Sequence, residues 1–258
     1  MTNTVKNAEK MLEKITEQVR TLLGEHLVSI TVFGSAADGQ LRRSSDVNVL
    51  LELRRFEFSA IDQLREAVRV AHAAVRLQVM VVLSSELAST SELFAVKFQD
   101  ILDRHRVLYG PDPFATTRVS REATVRQLRQ MVLNQLLKIR ERYLLVSLRE
   151  EQLIPLIADS AGPIRVAASI FSKLELSAAD ATHSKDVIHP KRALEKYVST
   201  LAPRQNHPWT GILENLSTAR ETLTLPPGLA IETFRALHEL LLDMHKRAES
   251  LTIQEQTP

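Results

Sequence analysis

Val32-Phe33-Gly34-Ser35, followed after a polar loop by Ser45-Asp46-Val47-Asn48-Val49-Leu50-Leu51, decides how the rest of this chain is read. An apolar run enters a Gly-Ser turn, and a second apolar run opens on an acid with an amide two places later. A glycine ahead of a short turn lets backbone N–H groups approach an anion closely, and the serine adds a hydroxyl donor. On a strand, residues two apart share a face, so Asp46 and Asn48 point the same way, about 6–7 Å apart along the backbone.

Working outward, Ile61, Leu64, Val68, Ala71 and Val75 recur at helical spacing, with Ser59 as the expected N-cap. Leu77 to Leu83 is a short β-branched run and reads as a third strand carrying Gln78. Ser91 is expected to open a helix bearing Phe94, Phe98, Ile101 and Leu102. Upstream, Leu12, Ile15, Val19 and Leu22 form one stripe of a helix over 5–25 that ends near Gly24, ahead of a strand from Leu27 to Phe33. The expected fold class is α+β: a small mixed sheet with flanking helices packed on one side, then an all-α bundle. Gly110-Pro111-Asp112-Pro113 is the clearest breaker, which places the domains at 1–113 and 114–258.

The second half shows no convincing strand. Val125, Leu128, Val132, Leu136, Ile139, Tyr143 and Val146 trace one long amphipathic stripe. Gly162-Pro163 and His189-Pro190 read as helix entrances, since proline is tolerated in a first turn. Further stripes follow, Ile212 to Ala219 and Ile231 to Met244, separated by Pro226-Pro227-Gly228, for about five helices in all. His183, Lys185, Asp186, His189 and Lys191 read as a solvated connection, His238 and His245 as surface histidines, and Arg126, Arg129, Lys138, Arg140 and Arg142 as a polar helix face.

The first half resembles the polymerase β-type nucleotidyltransferase superfamily, whose signature is Gly-Ser, about ten residues, then Asp-x-Asp on a strand, with a third carboxylate on a later strand. The likeness spans roughly the first 110 residues, ending in Arg106-Val107-Leu108-Tyr109-Gly110-Pro111. The two-part plan is similar to that of the kanamycin-type enzymes, which carry a helical domain behind the catalytic one. The resemblance implies that Gly34, Ser35 and Ser45 meet the nucleotide; Arg42 and Arg43, in the loop just before Ser44-Ser45-Asp46, read equally as guanidiniums within reach of triphosphate oxygens, Arg43 foremost, and as a solvated turn. It also implies that Asp46 binds Mg²⁺, and that Asp46, Asn48 and Gln78 hold the catalytic positions. Here the chain departs from that family's pattern, with Asn48 and Gln78 at the positions of the second and third acids.

That departure matters chemically. Two-metal transfer needs ligands that converge on ions about 3.5–4 Å apart, and Mg²⁺ favours charged oxygens. Two amides in place of two carboxylates remove about two negative charges from a site that must offset two dications. Asp38, Glu52 and Glu86 are the acids nearest in sequence that could substitute. Glu52 shares the strand face but sits about 13 Å from Asn48, and nothing in the sequence directs Asp38 or Glu86 toward the site.

Composition narrows the partners. With 258 residues the chain can bury one large core or two modest ones. A net charge of +2 and aromatics at 5% give no indication of nucleic-acid binding. No cysteine is present, which rules out disulfides, thiolate zinc and cysteine nucleophiles and fits a reducing compartment. The polar stretch from Met1 to Lys10 is no signal peptide, and no apolar run approaches the roughly 20 residues of a membrane span, so the expected location is cytoplasmic. The expected function is a catalytically impaired member of the superfamily that binds a nucleoside triphosphate weakly, with Mg²⁺ held by Asp46 and the phosphates, and acts in regulation or interaction. The alternative is an active Mg²⁺-dependent enzyme moving a nucleoside monophosphate onto a small-molecule or protein hydroxyl. A third reading makes the site vestigial and the helical half a homo-oligomerisation module.

Overall fold

Strand β2 (Val47–Leu53) lies between β1 (Leu27–Phe33), to which it is antiparallel, and β3 (Leu77–Leu83), to which it is parallel. On the far side of β1 runs β4 (His105–Tyr109), also antiparallel, for a sheet order β3-β2-β1-β4. The computed structural model describes residues 3–39, 41, 45–175, 189–201 and 207–251. The parallel β2–β3 pair requires a crossover, and helix α2 (Phe58–Val75) supplies it.

Both faces of the sheet are covered, not one. Val47, Val49, Leu51 and Leu53 pack with Ile30, Val32 and Leu77 against α1 (Asn3–Leu23) and α2. On the opposite face Phe33, Leu50 and Val82 pack with Phe98 and Ile101 of α4 (Ala95–Asp103) and with Phe114. The cause is visible in β2, whose Leu50 makes the alternate face apolar as well and so requires cover.

Local starts and stops differ from expectation in three places. Helix α2 begins at Phe58 after Glu57, so Ser59 lies inside its first turn and is not the N-cap. Helix α3 (Leu87–Leu93) begins before Ser91, whose buried hydroxyl donates to the Ala88 carbonyl at 2.7 Å, and Phe94 breaks the chain before α4. In the second half, Pro163 lies within α6 (Leu153–Glu175) and does not open it. The missing proline N–H leaves only the Asp159 carbonyl without its ladder donor, and Asp159 is on the exposed side.

The chain divides into two compact units, Met1–Val119 and Ser120–Pro258. Phe114 and Val119 belong with the sheet unit through their packing beneath Phe98 and Ile101. The second unit holds five long helices among the described residues: α5 (Arg121–Val146), α6, α7 (Pro190–Leu201), α8 (Trp209–Thr222) and α9 (Leu229–Ser250). Helix α6 packs against the other four. It is long and apolar enough to cross a membrane, but 67% of its most apolar window is buried inside the protein, as befits a central core helix.

Polar side chains fasten this unit at helix ends. Arg129 is more than a polar-face residue: it donates to the carbonyls of Ala248, Glu249 and Leu251 at the end of α9. Glu150 accepts from the N–H groups of Gly228, Ala230 and Ile231 at the start of α9. Those bonds, the Gly228 one foremost, hold its carboxyl below the usual range. Tyr197 donates to Asp243 at 2.9 Å; burial, then the Asp243 charge, pushes its phenol well up. His238 and His245 are half-buried, not surface residues. Of the polar connection, His183, Lys185 and Asp186 lie outside the described residues, and His189 Nδ1 accepts from the Lys191 N–H at 3.2 Å.

Candidate functional site

The Gly-Ser turn sits where β1 ends. Gly34 adopts φ +73°, a conformation open to glycine at little cost, and residues Gly34–Ala36 form a single 3₁₀ turn. The Gly34 N–H is already spent on the Arg104 carbonyl at 2.8 Å and so cannot serve an anion. Ser35 is half-buried, and its hydroxyl has no partner among the described residues. This narrows the expected role of the turn to Ser35 and the groups after it.

Strand pairing brings the two amides together. Phe33 pairs with Asn48, and Asn48 with Gln78, so the turn, the second motif position and the third lie on adjacent strands. Asn48 leans toward the turn: a β-carbon built on Gly34 would stand 3.9 Å from its Nδ2. Asn48 is half-buried and Gln78 exposed.

Asp46 immediately precedes β2 and is not free. Its Oδ1 accepts from Arg76 Nε at 2.7 Å, with 40% of the Asp46 side chain and 60% of the Arg76 side chain exposed. Arg76 itself ends α2 in the left-handed region, φ +55°, with its N–H on the His72 carbonyl and its own carbonyl accepting from Val47. Ser45 is half-buried beside Asp46, whereas Arg42 and Arg43 lie outside the described residues.

The three candidate substitute acids are all otherwise engaged. Asp38 pairs with Arg104 at 3.4 Å, and Arg104 is held in turn by Asp100. Glu86 Oε2 accepts from the Leu83 N–H at 3.0 Å. Glu52 is buried, taking hydroxyl protons from Ser29 at 2.9 Å and Ser84 at 2.7 Å. Among the described residues no group of three or more His, Asp or Glu side chains is arranged to hold a metal. One partly exposed carboxylate paired with a guanidinium, beside two neutral amides, offers too few charged oxygens for a pair of Mg²⁺ ions.

Two cations were missed in the sequence. Arg76 is one. Lys97, on α4, is the other, with its Nζ 5.8 Å from the centroid of the Phe33 ring next to the turn. Arg76 had a legible signal: the parallel offset that pairs Asn48 with Gln78 also carries Asp46 to Arg76. Lys97 had none, because its place depends on how α4 docks.

A crystal structure of the spectinomycin adenyltransferase AAD(9) from Enterococcus faecialis, with ATP and spectinomycin, resembles this chain with a TM-score of 0.59. The likeness covers 91% of this chain and 99% of the other at 12% sequence identity. The two chains share a fold. At such low identity the likeness is one of fold alone. No protein-family model and no curated protein matches the chain by sequence.

Proposed function

We propose that this protein binds a nucleoside triphosphate at the Ser35 turn without transferring its nucleotidyl group, and that it works by regulation or interaction. The observation that carries this reading is the Asp46–Arg76 pair beside the Asn48–Gln78 amides. A guanidinium occupies the one remaining carboxylate of the motif. Arg76 and Lys97 supply fixed positive charge, and Ser35, Asn48 and Gln78 supply neutral donors, for phosphate oxygens. Mg²⁺ would reach the site only as a companion of the nucleotide, with Asp46 and phosphate oxygens as ligands. The resemblance to an enzyme crystallised with ATP adds support for a nucleotide as the ligand.

The test separates binding from turnover. The full chain is titrated with ATP and GTP, with Mg²⁺ and again with a chelator, and then incubated with each NTP, Mg²⁺ or Mn²⁺ and a panel of hydroxyl acceptors. Saturable binding that survives chelation, with no pyrophosphate released, is the expected result. Pyrophosphate release that Asp46→Ala abolishes would overturn the proposal in favour of an active transferase. Absence of any nucleotide affinity would leave the fold a vestige and sink the proposal from the other side.

A further inference from the structure

The helical unit contains a crevice that the nucleotide reading does not use. It lies between α5 and α9, has a volume of about 420 Å³, and falls within the range of small-molecule sites. Tyr143 and Phe234 form its floor, their rings stacked at 5.1 Å and 17°. Leu144, one residue on, is 82% exposed and forms an apolar wall with no cover among the described residues. Arg140 and Tyr143 stand three apart on α5, and Phe234 and His238 four apart on α9, so each pair shares a helix face.

The rim is positive and prearranged. Arg140 Nε donates to His238 Nε2 at 3.2 Å, which puts the proton of the neutral ring on Nδ1, and Arg140 makes no ion pair among the described residues. Burial first, then the Arg140 charge, lowers the His238 pKa against an opposing pull from Glu239. Arg235 lines the same crevice and makes no ion pair among the described residues. Glu239, the one acid on the rim, is bound to His207 Nε2 at 2.7 Å. An aromatic floor under two guanidiniums without carboxylate partners is complementary to a ligand that is apolar at one end and anionic at the other.

We propose that the α5–α9 crevice binds a small aryl or alkyl carboxylate, its apolar part on Tyr143, Phe234 and Leu144 and its carboxylate between Arg140 and Arg235. The guanidinium forks select for charge, and the stacked rings select for a flat or extended hydrocarbon. No bond is made or broken; this is a binding site only.

The probes are 4-phenylbutyrate, its neutral analogue 4-phenylbutyramide, and inorganic phosphate, each titrated into the full chain and followed by NMR shifts of the His238 and Tyr143 rings. Expected is saturable 4-phenylbutyrate binding with Kd below about 1 mM, and about tenfold weaker binding of the amide. Arg140→Gln with Arg235→Gln is expected to erase the preference for the acid while leaving amide binding unchanged, and Leu144→Asp, at an exposed position, to weaken both. Circular dichroism verifies that each variant is folded. Equal affinity for acid and amide, an unaffected double variant, phosphate binding in place of 4-phenylbutyrate, or no saturation below about 10 mM would each overturn the assignment.

Discussion

Strand β2 is bounded by a carboxylate at either end, and the two live in different worlds. Asp46, ahead of the strand, is partly in water and faces a guanidinium. Glu52, near its finish, is 7% exposed and is satisfied by two serine hydroxyls. A pair exposed to solvent contributes little to stability and can be exchanged for another partner. A buried acid held by hydroxyls is structural, because losing it strands the donors that face it. Possession of an acid on the motif strand therefore says little about metal chemistry; its surroundings decide what it can hold.

Removing the buried member is the severest way to break that contrast. Glu52→Ala leaves the Ser29 and Ser84 hydroxyls facing a void and is expected to lower unfolding free energy by about 2–4 kcal/mol. Asp46→Ala is expected to change it by less than about 1 kcal/mol. Urea melts of both variants measure the gap, and equal losses would mean that Asp46 is structural too.

Restoring charge at the other end sharpens the comparison. Asn48→Asp with Gln78→Asp returns two anionic oxygens next to Asp46 and is expected to tighten triphosphate binding in Mg²⁺ on the order of tenfold for each acid, with no gain under chelation. Calorimetry in Mg²⁺ and in chelator reads the difference, and an unchanged metal dependence would count against Gln78 as the third motif position. Arg76→Ala comes next. It frees Asp46 and removes a phosphate donor, so metal-free nucleotide affinity is expected to fall about tenfold; unchanged affinity would show that the guanidinium serves only the strand edge.

The smallest effect concerns a third carboxylate, Glu150, whose partners are backbone N–H groups. Its folded pKa is depressed, so its contribution to stability is complete above the ordinary carboxylate range and fades as pH falls below 4.5 through the folded value. Glu150→Gln is expected to be slightly destabilised at pH 7 and to converge with the parent in acid. A difference that stays constant with pH would point to packing in place of charge.

Much of the fold was legible because it rests on local signals. The β-branched runs, the helical stripes and the breaker at Gly110 each follow from periodicity and turn chemistry. Gly110 has a tertiary reason as well: a β-carbon there would clash with the Val28 carbonyl oxygen of β1. The errors fell where tertiary packing outweighs local preference. Pro163 reads as a helix start, yet α6 continues through it because Ile157, Ile164 and Ala168 are all buried along one core helix. Ser91 reads as a helix start, yet it is buried inside α3.

The candidate site divides along the same line. That Asn48 and Gln78 are amides was plain in the sequence whatever the fold does, and each offers a neutral oxygen where a carboxylate would offer a charged one. Which charges fill the gap was decided only in three dimensions. Parallel pairing of β2 with β3 sets Arg76 against Asp46, the docking of α4 brings Lys97 over Phe33, and Asp38 is drawn away to Arg104. Identity of a side chain fixes what it can donate or accept, but partnership depends on distances of a few ångströms between segments remote in the chain, and those exist only once the sheet has closed.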